Sequence, residues 1–390
     1  MQNTNLKAQF LLNPDITFLN FGSYGACSKT VFDEYQKWQL QLEREPVQFI
    51  AFNGPFNLRH AREALANYVH CNTDDVVFVT NPSYAVNIVA KNFQLKEGDE
   101  ILGTNIEYGA LDRTWNYYCR KVGAKYIRQS IELPVVSKEK IIEDFFKGLT
   151  AKTKAIFISH ITSATALILP VKEIVDIAKQ KGLFTIVDGA HAPAHVPLNI
   201  TELDADVYAG ACHKWMCAPK GSSFLQVKKE HQHLFDPLVI SWGYESATPS
   251  NSQFIDYHQM QGTRDLSAFL TVPKAIEFLN ENNWPQVAAD CRQIVHSDYK
   301  RFCDLLKTEP ICPITNEFLG QMCSTRINTN QPEKLQRLLY EKYKIEIPVM
   351  RQNEKIFIRY SINAFNEQKD LDILYDALSE IIKETNLINV

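Results

Sequence analysis

The chain has 390 residues, of which 45% are hydrophobic and 22% are charged, and this balance predicts a globular protein with a large core and two domains. Its formal net charge of -4 comes from scattered residues, which disfavours nucleic acid and anionic membranes as partners and favours a small metabolite. The first residues lack the pattern of a signal peptide, and no apolar run reaches the roughly 18 residues of a membrane span. We therefore expect a cytoplasmic protein.

The nine cysteines form no C-x-x-C pair. An odd number of scattered cysteines is typical of reduced thiols, and not of a disulfide framework or a thiolate zinc site. We interpret them as core or incidental residues and predict no metal site.

Five short runs rich in valine and isoleucine predict buried strands. Stretches with helical spacing lie between several of them, and one such stretch ends at Gly182, as a helix often does. This alternation is typical of a mostly parallel sheet covered by helices. The predicted strands are Asp75–Thr80, Asp99–Thr104, Lys154–His160, Leu183–Asp188 and Ala205–Ala211.

After about Gly262 the pattern changes to longer helices, which predicts a second, smaller α/β domain. No segment rich in glycine, serine or proline separates the two parts. We expect a large domain over residues 15–262 and a small domain over residues 263–390, with residues 1–14 packing on the small one. The elements predicted there are helices in 270–282, 285–306 and 332–343, and strands in 320–328 and 355–362.

The residues after each predicted strand are candidates for a binding site, because ligands lie at the carboxyl ends of strands in open α/β sheets. After the first strand, Asn81 is suited to cap a helix and Pro82 to its first turn. We expect the free backbone N–H groups of Ser83 and Tyr84 to face outward with the helix dipole behind them, which predicts a phosphate site.

The later strand ends supply an aromatic ring, hydroxyls, a carboxylate with a nearby imidazole, and a histidine-lysine pair. They are, in that order, Tyr108, Thr162 and Ser163, Asp188 and His191, and His213 and Lys214. Pyridoxal phosphate matches this inventory.

Each residue type has a use in the chemistry of that cofactor. The amine of Lys214 forms a Schiff base with the cofactor aldehyde and later transfers protons. The carboxylate of Asp188 keeps the pyridine nitrogen protonated, which makes the ring an electron sink. His191 is placed to hydrogen-bond the phenolic oxygen.

Longer motifs carry a family resemblance. The segments "TIVDGAHAPAHVPLN" and "DADVYAGACHKWMCAPKGSSFL" resemble the class V aminotransferase family of fold-type I pyridoxal-phosphate enzymes, and within it the group of isopenicillin N epimerase-like and hercynylcysteine sulfoxide lyase-like enzymes. The resemblance extends over nearly all of the chain. Further similar segments are "FLNFGSYGACSKTVFDEYQKWQ", "REPVQF", "NPSYAVN", "EYGALD", "SHITSATALILPV", "SWGYE", "QGTRD" and "KIFIRYSINAFNEQKDLD".

The resemblance implies a mostly parallel seven-stranded sheet in the large domain and a smaller C-terminal α/β domain. It also implies a homodimer with shared active sites, in which Gly262 and Thr263 reach the phosphate in the partner subunit. Arg359 would bind the α-carboxylate of an amino-acid substrate, and Ser23 and Tyr24 would line the substrate pocket. The cofactor site that it implies comprises Ser83, Tyr84, Tyr108, Ser163, Asp188, His191, His213, Lys214, Gly262 and Thr263, with Lys214, Asp188 and His191 as catalytic residues.

Several reactions share such a site. Our first choice is an epimerase or C–S lyase that acts on an amino acid or a modified sulfur-containing amino acid. The alternatives are an aminotransferase or a cysteine desulfurase and, more remotely, a non-catalytic ligand-binding homologue, which an intact Lys214 and Asp188 disfavour. A desulfurase needs a mobile cysteine thiolate, but the residues just before Arg359 include no cysteine, and Cys323 lies in a predicted strand. We therefore expect poor cysteine desulfuration.

Overall fold

The computed structural model describes residues 4–390, so residues 1–3 of the predicted N-terminal segment lie outside the described residues. The strands are β1 (Thr17–Phe18), β2 (Val76–Val79), β3 (Glu100–Thr104), β4 (Lys125–Gln129), β5 (Thr153–Ser159), β6 (Phe184–Gly189), β7 (Val207–Ala211), β8 (Ser223–Val227), β9 (Met322–Arg326), β10 (Ile345–Glu346), β11 (Val349–Gln352) and β12 (Lys355–Ser361).

The helices alternate with the strands in the first part of the chain and dominate later. They are α1 (Thr4–Lys7), α2 (Phe21–Tyr24), α3 (Lys29–Arg44), α4 (Gly54–Val69), α5 (Pro82–Asn92), α6 (Gly109–Lys121), α7 (Lys138–Phe146), α8 (Val171–Gln180), α9 (Ile200–Leu203), α10 (Gln253–Gln259), α11 (Ser267–Leu270), α12 (Val272–Glu281), α13 (Trp284–Leu305), α14 (Pro332–Glu341) and α15 (Gln368–Glu384). A π-helix spans Gln48–Asn53, and 3₁₀ turns span Thr73–Asp75 and Lys229–Leu234.

The central sheet has seven strands in the order β2-β8-β7-β6-β5-β3-β4. Only β8 runs against its neighbours, β2 and β7, so the sheet is mostly parallel and the prediction is confirmed. Both faces of the sheet are buried, since Val77 and Val79 of β2 pack in one hydrophobic cluster while Val76 and Phe78 pack in the other. Burial on both faces explains why the strands appear in the sequence as nearly continuous apolar runs.

The later part of the chain forms a three-stranded antiparallel sheet in the order β11-β12-β9. The helices α13 and α14 correspond to the helices predicted in 285–306 and 332–343, whereas α15 was not predicted. The short strands β1 and β10 pair in parallel, which joins the beginning of the chain to this later part. The backbone N–H of Ser361 also donates to the carbonyl oxygen of Leu19 over 2.9 Å.

The start of the chain packs against aromatic rings from later elements. The ring centroid of Phe10 lies 5.0 Å from that of Phe365 and 6.1 Å from that of Phe278 in α12. Because α12 itself packs on α3 and α4, contacts cross the predicted boundary at residue 262, and the division into two domains there stays a prediction. Along residues 4–390, every helix is too short or too polar to cross a bilayer.

Candidate active site

One cavity of about 460 Å³ lies at the carboxyl ends of the parallel strands, next to α2 and the first turn of α5. Parallel pairing of β5 with β6 sets Ser159 opposite Asp188 at this edge of the sheet. The cavity collects most of the residues that the sequence singled out. Those that line it are Ser23, Tyr24, Ser83, Tyr108, Ser163, Asp188, His191, His213 and Lys214.

Asp188 places a carboxyl group near the end of β6, and only 4% of this residue is exposed. The backbone N–H of Ala190 donates to its Oδ1 over 3.0 Å. Burial raises the pKa of Asp188, while the Ala190 N–H and the charge of Lys214 oppose that rise. A buried carboxylate is stabilised by a cationic donor, so Asp188 is suited to a protonated ring nitrogen in the cavity.

Lys214 lies in the loop after β7, with its Nζ 3.2 Å from Nε2 of His191. Burial lowers the pKa of Lys214 to about 8, against the opposing effect of Asp188. The amine therefore has a sizeable unprotonated fraction near neutral pH, and the unprotonated amine is the nucleophile. Gly25, at φ 63°, lies against the backbone of Lys214, and a Cβ at this position would clash with the Lys214 carbonyl oxygen.

His191 is held on two sides. Its Nδ1 accepts a hydrogen bond from Nε1 of Trp215 over 3.3 Å, and its Nε2 faces Nζ of Lys214. Burial lowers the pKa of His191 well below its usual value, and the Lys214 charge adds to this effect. The ring is therefore neutral.

The first turn of α5 differs in one detail from the sequence prediction. Asn81 caps the helix, as expected, but its Oδ1 accepts the N–H of Tyr84 over 2.8 Å. The prediction that the Tyr84 N–H is free for a phosphate is therefore wrong, because the cap uses that donor. The Tyr84 hydroxyl donates to Oε1 of Gln261 over 2.8 Å, whereas Ser83 lines the cavity.

His213 is anchored by its Nδ1, which lies 2.9 Å from the carbonyl oxygen of Ser222 and 3.2 Å from Oγ of Ser223. A carbonyl oxygen only accepts, so Nδ1 of His213 carries a proton. Burial lowers the pKa of His213 to about 4, and its Nε2 is left as the atom that can meet a ligand.

Arg359 lies in β12, and 1% of it is exposed. Its Nη2 donates to Oγ of Ser23 over 3.0 Å and its Nη1 to the carbonyl oxygen of Ser163 over 2.7 Å. Within residues 4–390, its Nε has no hydrogen-bond partner. Burial lowers the pKa of Arg359 to about 10, so the guanidinium stays charged, and both of its partners line the cavity.

Gly262 and Thr263 are exposed and lie outside the cavity of their own chain. The Met260 carbonyl oxygen just before them accepts the N–H of Gly243 over 3.0 Å, so they belong to a surface that also carries Trp242. Trp242 is 85% exposed. The predicted reach of Thr263 into a second subunit stays a prediction.

Glu107 was missed by the sequence reasoning, although it directly precedes Tyr108. Its carboxyl group is fully buried and accepts from Oγ1 of Thr104 over 2.6 Å, and from the backbone N–H of Ser159 over 2.9 Å as well as from its hydroxyl. Burial raises the pKa of Glu107 to about 7, and the nearby charge of Asp188 contributes. Glu107 thus links the ends of β3 and β5 next to Tyr108. Its position directly before Tyr108 in the sequence is the signal that could have identified it.

Two more residues at the site escaped the sequence reasoning. Lys220 lines the cavity and is exposed to solvent; it lies in the segment "APKGSS", which carries the family resemblance but no predicted site residue. Trp215 directly follows Lys214, but its contact with His191 depends on how the two loops fold together.

Comparisons with known proteins identify the family of the chain and related folds. Residues 29–374 match the family model described as aminotransferase class-V. The chain is 30% identical over 394 residues to an isopenicillin N epimerase of Amycolatopsis lactamdurans, covering 97% of this chain and 98% of that protein. It is 26% identical over 408 residues to an L-cysteine desulfhydrase of Arabidopsis thaliana, covering 94% of this chain and 88% of that protein.

A solved structure shares the fold. It is a variant of C-DES, a cystine C–S lyase, with glycine covalently linked to its pyridoxal phosphate cofactor, and it superposes with a TM-score of 0.80 at 17% identity, covering 96% of this chain and 99% of that chain. At this identity the likeness concerns the fold.

Proposed function

The chain belongs to the class-V aminotransferase family, and on that premise we propose that it is a pyridoxal phosphate enzyme that inverts the α-carbon of an amino acid or breaks its C–S bond. A modified sulfur-containing amino acid is a suitable substrate for both reactions, inversion and C–S cleavage, because the relatives include an isopenicillin N epimerase and an L-cysteine desulfhydrase. The observation that carries it is the buried Lys214 amine beside His191, in one cavity with Asp188.

Pyridoxal phosphate is the cofactor of this chain, as membership of the family implies. When bound, it supplies an electron sink for the negative charge left on the substrate α-carbon after a proton departs. The cavity fits the group, because it offers a low-pKa amine for the aldehyde, a buried carboxylate for the ring nitrogen and an aromatic ring at its wall. These are Lys214, Asp188 and Tyr108.

Two residues are proposed to hold the phosphate. The backbone N–H of Ser83 lies in the first turn of α5, where the helix dipole favours an anion. His213 reaches the cavity through Nε2, since its Nδ1–H is donated to Ser222, and Nε2 donates to a phosphate only when the ring is protonated. A bound phosphate dianion favours that protonation by raising the pKa of His213 above its present low value.

Lys214 is proposed to take the proton from the α-carbon at its Nζ. With a pKa of about 8, this amine is both a competent base and able to return a proton near neutral pH. Elimination follows when the α-carbon that has lost its proton expels a β-substituent. Inversion of the stereocentre instead needs a proton returned to the opposite face of the same carbon, by an acid other than the base that removed it.

Arg359 is proposed to bind the substrate α-carboxylate. Its unpartnered Nε and its charge make it a donor for an anion, and its bonds to Ser23 and Ser163 hold the guanidinium in place. Tyr24, 71% exposed at the cavity, is placed to contact a substrate side chain.

A homodimer with shared active sites is part of the proposal. Large apolar side chains are exposed at two places, around Trp242 and around the π-helix before α4, which favours a second protein surface over them. Those side chains are Ile240, Trp242, Phe52 and Phe56, with exposures of 63%, 85%, 67% and 75%. The cytoplasmic location stays a prediction.

The test is a product screen of the purified holoenzyme with amino acids that carry a sulfur substituent, including L-cysteine and L-cystine, followed by mass spectrometry. Pyruvate with ammonia identifies elimination, and an inverted stereocentre identifies epimerisation. A keto acid formed with an amino acceptor would instead identify an aminotransferase. Borohydride reduction and peptide mapping should place the cofactor on Lys214, and a label on another lysine would overturn the site.

A further inference from the structure

We propose that Trp215 is a positioning residue that fixes the tautomer of His191, so that His191 presents an Nε2–H donor to the space beside Lys214. The identity of the acceptor there, the phenolic oxygen of the cofactor, rests on the proposed function. The tautomer of His191 does not depend on the cofactor, because the contact with Trp215 is made within the chain.

The direction of one hydrogen bond sets the tautomer. The indole N–H of Trp215 is a donor and has no lone pair to offer, and it points at Nδ1 of His191 over 3.3 Å. Nδ1 of His191 must therefore carry a lone pair. A neutral imidazole has one proton, which is then on Nε2, and the unprotonated amine of Lys214, whose Nζ is 3.2 Å away, accepts that proton in a hydrogen bond.

Trp215 is itself tightly packed, so its N–H can hold His191 in the Nε2–H tautomer. It is 1% exposed, and its ring stacks on that of His195 with the centroids 3.9 Å apart and the planes at 27°. The ring of Phe21 also packs against it, with a centroid distance of 5.3 Å and the planes at 59°. A buried indole packed against two rings has little freedom to turn its N–H away from His191.

His195 couples the same unit to the later part of the chain. Its Nδ1 lies 2.9 Å from the carbonyl oxygen of His191, so Nδ1 donates, and its Nε2 accepts the backbone N–H of Gln321 over 2.6 Å. Both ring nitrogens of His195 thus have hydrogen-bond partners, which fixes the orientation of the ring. Gly320 leaves room for this contact, since a Cβ there would clash with Nε2 of His195.

Burial and the nearby cations keep the His191 ring neutral, so that only its tautomer can vary. The charges of Lys214 and Arg359 disfavour a positive charge on the ring, as His195 and His213 would if they were protonated. Burial has the largest effect and lowers the pKa of His191 well below its usual value. The two neutral tautomers differ in function, because an Nε2–H attracts a phenolate oxygen and an Nε2 lone pair repels it.

The first test uses the cofactor-free chain, with its histidines labelled with ¹⁵N and examined by long-range ¹H–¹⁵N NMR at roughly pH 10, where the Lys214 amine, with a pKa of about 8, is unprotonated and accepts from Nε2; His191→Asn assigns the signal. We expect the Nε2–H tautomer in the native chain. Trp215→Phe removes the donor, and so does replacement of Trp215 by the isosteric analogue 3-benzothienylalanine. Both should shift His191 toward the Nδ1–H tautomer.

Trp115→Phe is the matched control, because Trp115 is also fully buried but its Nε1 has no hydrogen-bond partner among the described residues. It should leave the His191 signal unchanged. An Nδ1–H tautomer in the native chain would overturn the proposal. So would a His191 signal that stays Nε2–H in the analogue, which preserves packing and so separates a lost donor from a disturbed core.

The second test uses the holoenzyme. The loss of one hydrogen bond to the phenolic oxygen should move the pH midpoint of the cofactor absorption band by about one pH unit in the Trp215 variants. The midpoint should not move in the Trp115→Phe control. If borohydride mapping fails to place the cofactor on Lys214, the proposed function fails while the NMR result stands by itself. If mapping succeeds and the tautomer is unaffected by Trp215, only this inference fails.

Discussion

Lys214 and Asp188 carry opposite charges in surroundings that stabilise neither charge alone. Burial lowers the pKa of the lysine to about 8 and raises the pKa of the aspartic acid, and each side chain partly offsets the effect on the other. Removing one partner of such a pair leaves the other buried and uncompensated. Substitution of either residue is therefore expected to have a larger effect than substitution of a charged residue at the surface.

We expect Asp188→Asn to retain the cofactor but to lower turnover by about a hundredfold or more, because an amide does not hold the ring nitrogen protonated. Absorption spectroscopy reports retention of the cofactor, and the rate of product formation reports turnover. Asp236→Asn, at an exposed position, is the control and should behave as the native chain. Near-native turnover in Asp188→Asn would contradict the role proposed for this carboxylate.

Arg359→Lys should raise KM by about tenfold or more with a smaller change in kcat. Lysine keeps the charge but loses the planar donor pair, together with the bonds to Ser23 and Ser163. Steady-state kinetics with the substrate found in the product screen measure this split. Arg326→Lys, an exposed change in the neighbouring strand β9, is the control, and equal effects of both variants would remove Arg359 from substrate binding.

At the scale of the elements, apolar runs predicted the strands well where both faces are buried. β2, β3 and β7 are wholly buried and correspond to three of the predicted runs. β8 was missed because it begins with Ser223 and contains Gln226, which interrupt the apolar pattern although both are buried. β4 was missed because it is an edge strand with exposed Lys125 and Arg128.

The strand β9 bears on the prediction that the chain is a poor cysteine desulfurase. Cys323 is fully buried in β9, and burial raises the pKa of its thiol well above the usual value. We expect Cys323→Ala to convert L-cysteine as fast as the native chain does. The products should be pyruvate, ammonia and sulfide rather than alanine and a protein persulfide.

Mass spectrometry of the intact protein and of the small-molecule products tests this prediction. Cys291→Ala is a matched control, since that thiol is also buried and lies in α13. Rapid formation of alanine that depends on a single cysteine would instead make the chain a cysteine desulfurase.

At the scale of the whole molecule, several buried histidines predict sensitivity to acid. Burial lowers the pKa of each below the usual value, which the unfolded chain keeps, so the unfolded state binds more protons as the pH falls. Stability is then present above about pH 6.5 and is lost toward pH 4. The histidines and their pKa values are His160, His213 and His258 at about 4 and His195 at about 3.

We expect the free energy of unfolding in urea to fall by about 2 kcal/mol for each such histidine between pH 6.5 and pH 5. Glu107, whose pKa is raised to about 7, works in the opposite direction and offsets about one of them. His258→Gln should reduce the slope by about one proton, whereas His60→Gln, at an exposed position, should not. A stability that is flat over this range would contradict the prediction.

Trp242→Glu should dissociate the proposed dimer and reduce activity, because it places a charge on the exposed surface next to Gly262 and Thr263. Sedimentation at several concentrations measures assembly. Tyr340→Glu is the control, since this ring is 48% exposed on α14, away from that surface. A native chain that is fully active as a monomer would refute the shared site.

The sequence predicted the charged side chains of the site better than the hydrogen bonds that position the neighbouring residues. Lys214 and Asp188 follow apolar runs in the chain and could be found by inspecting strand ends. The contact of Trp215 with His191 joins two separate loops, and the free N–H expected at Tyr84 was lost to the Asn81 side chain. Such contacts depend on side-chain directions, which a one-dimensional pattern does not contain.

The hydrogen bond between Ser23 and Arg359 joins residues 336 positions apart, and β1 pairs with β10 across a similar interval. During synthesis on the ribosome, the first of these partners emerges long before the second exists. Because N-terminal parts of a chain generally fold first during synthesis, we expect the cavity around Lys214 to form before Arg359 is available for the substrate contact proposed here. Substrate selectivity would then be acquired late in the synthesis of the chain.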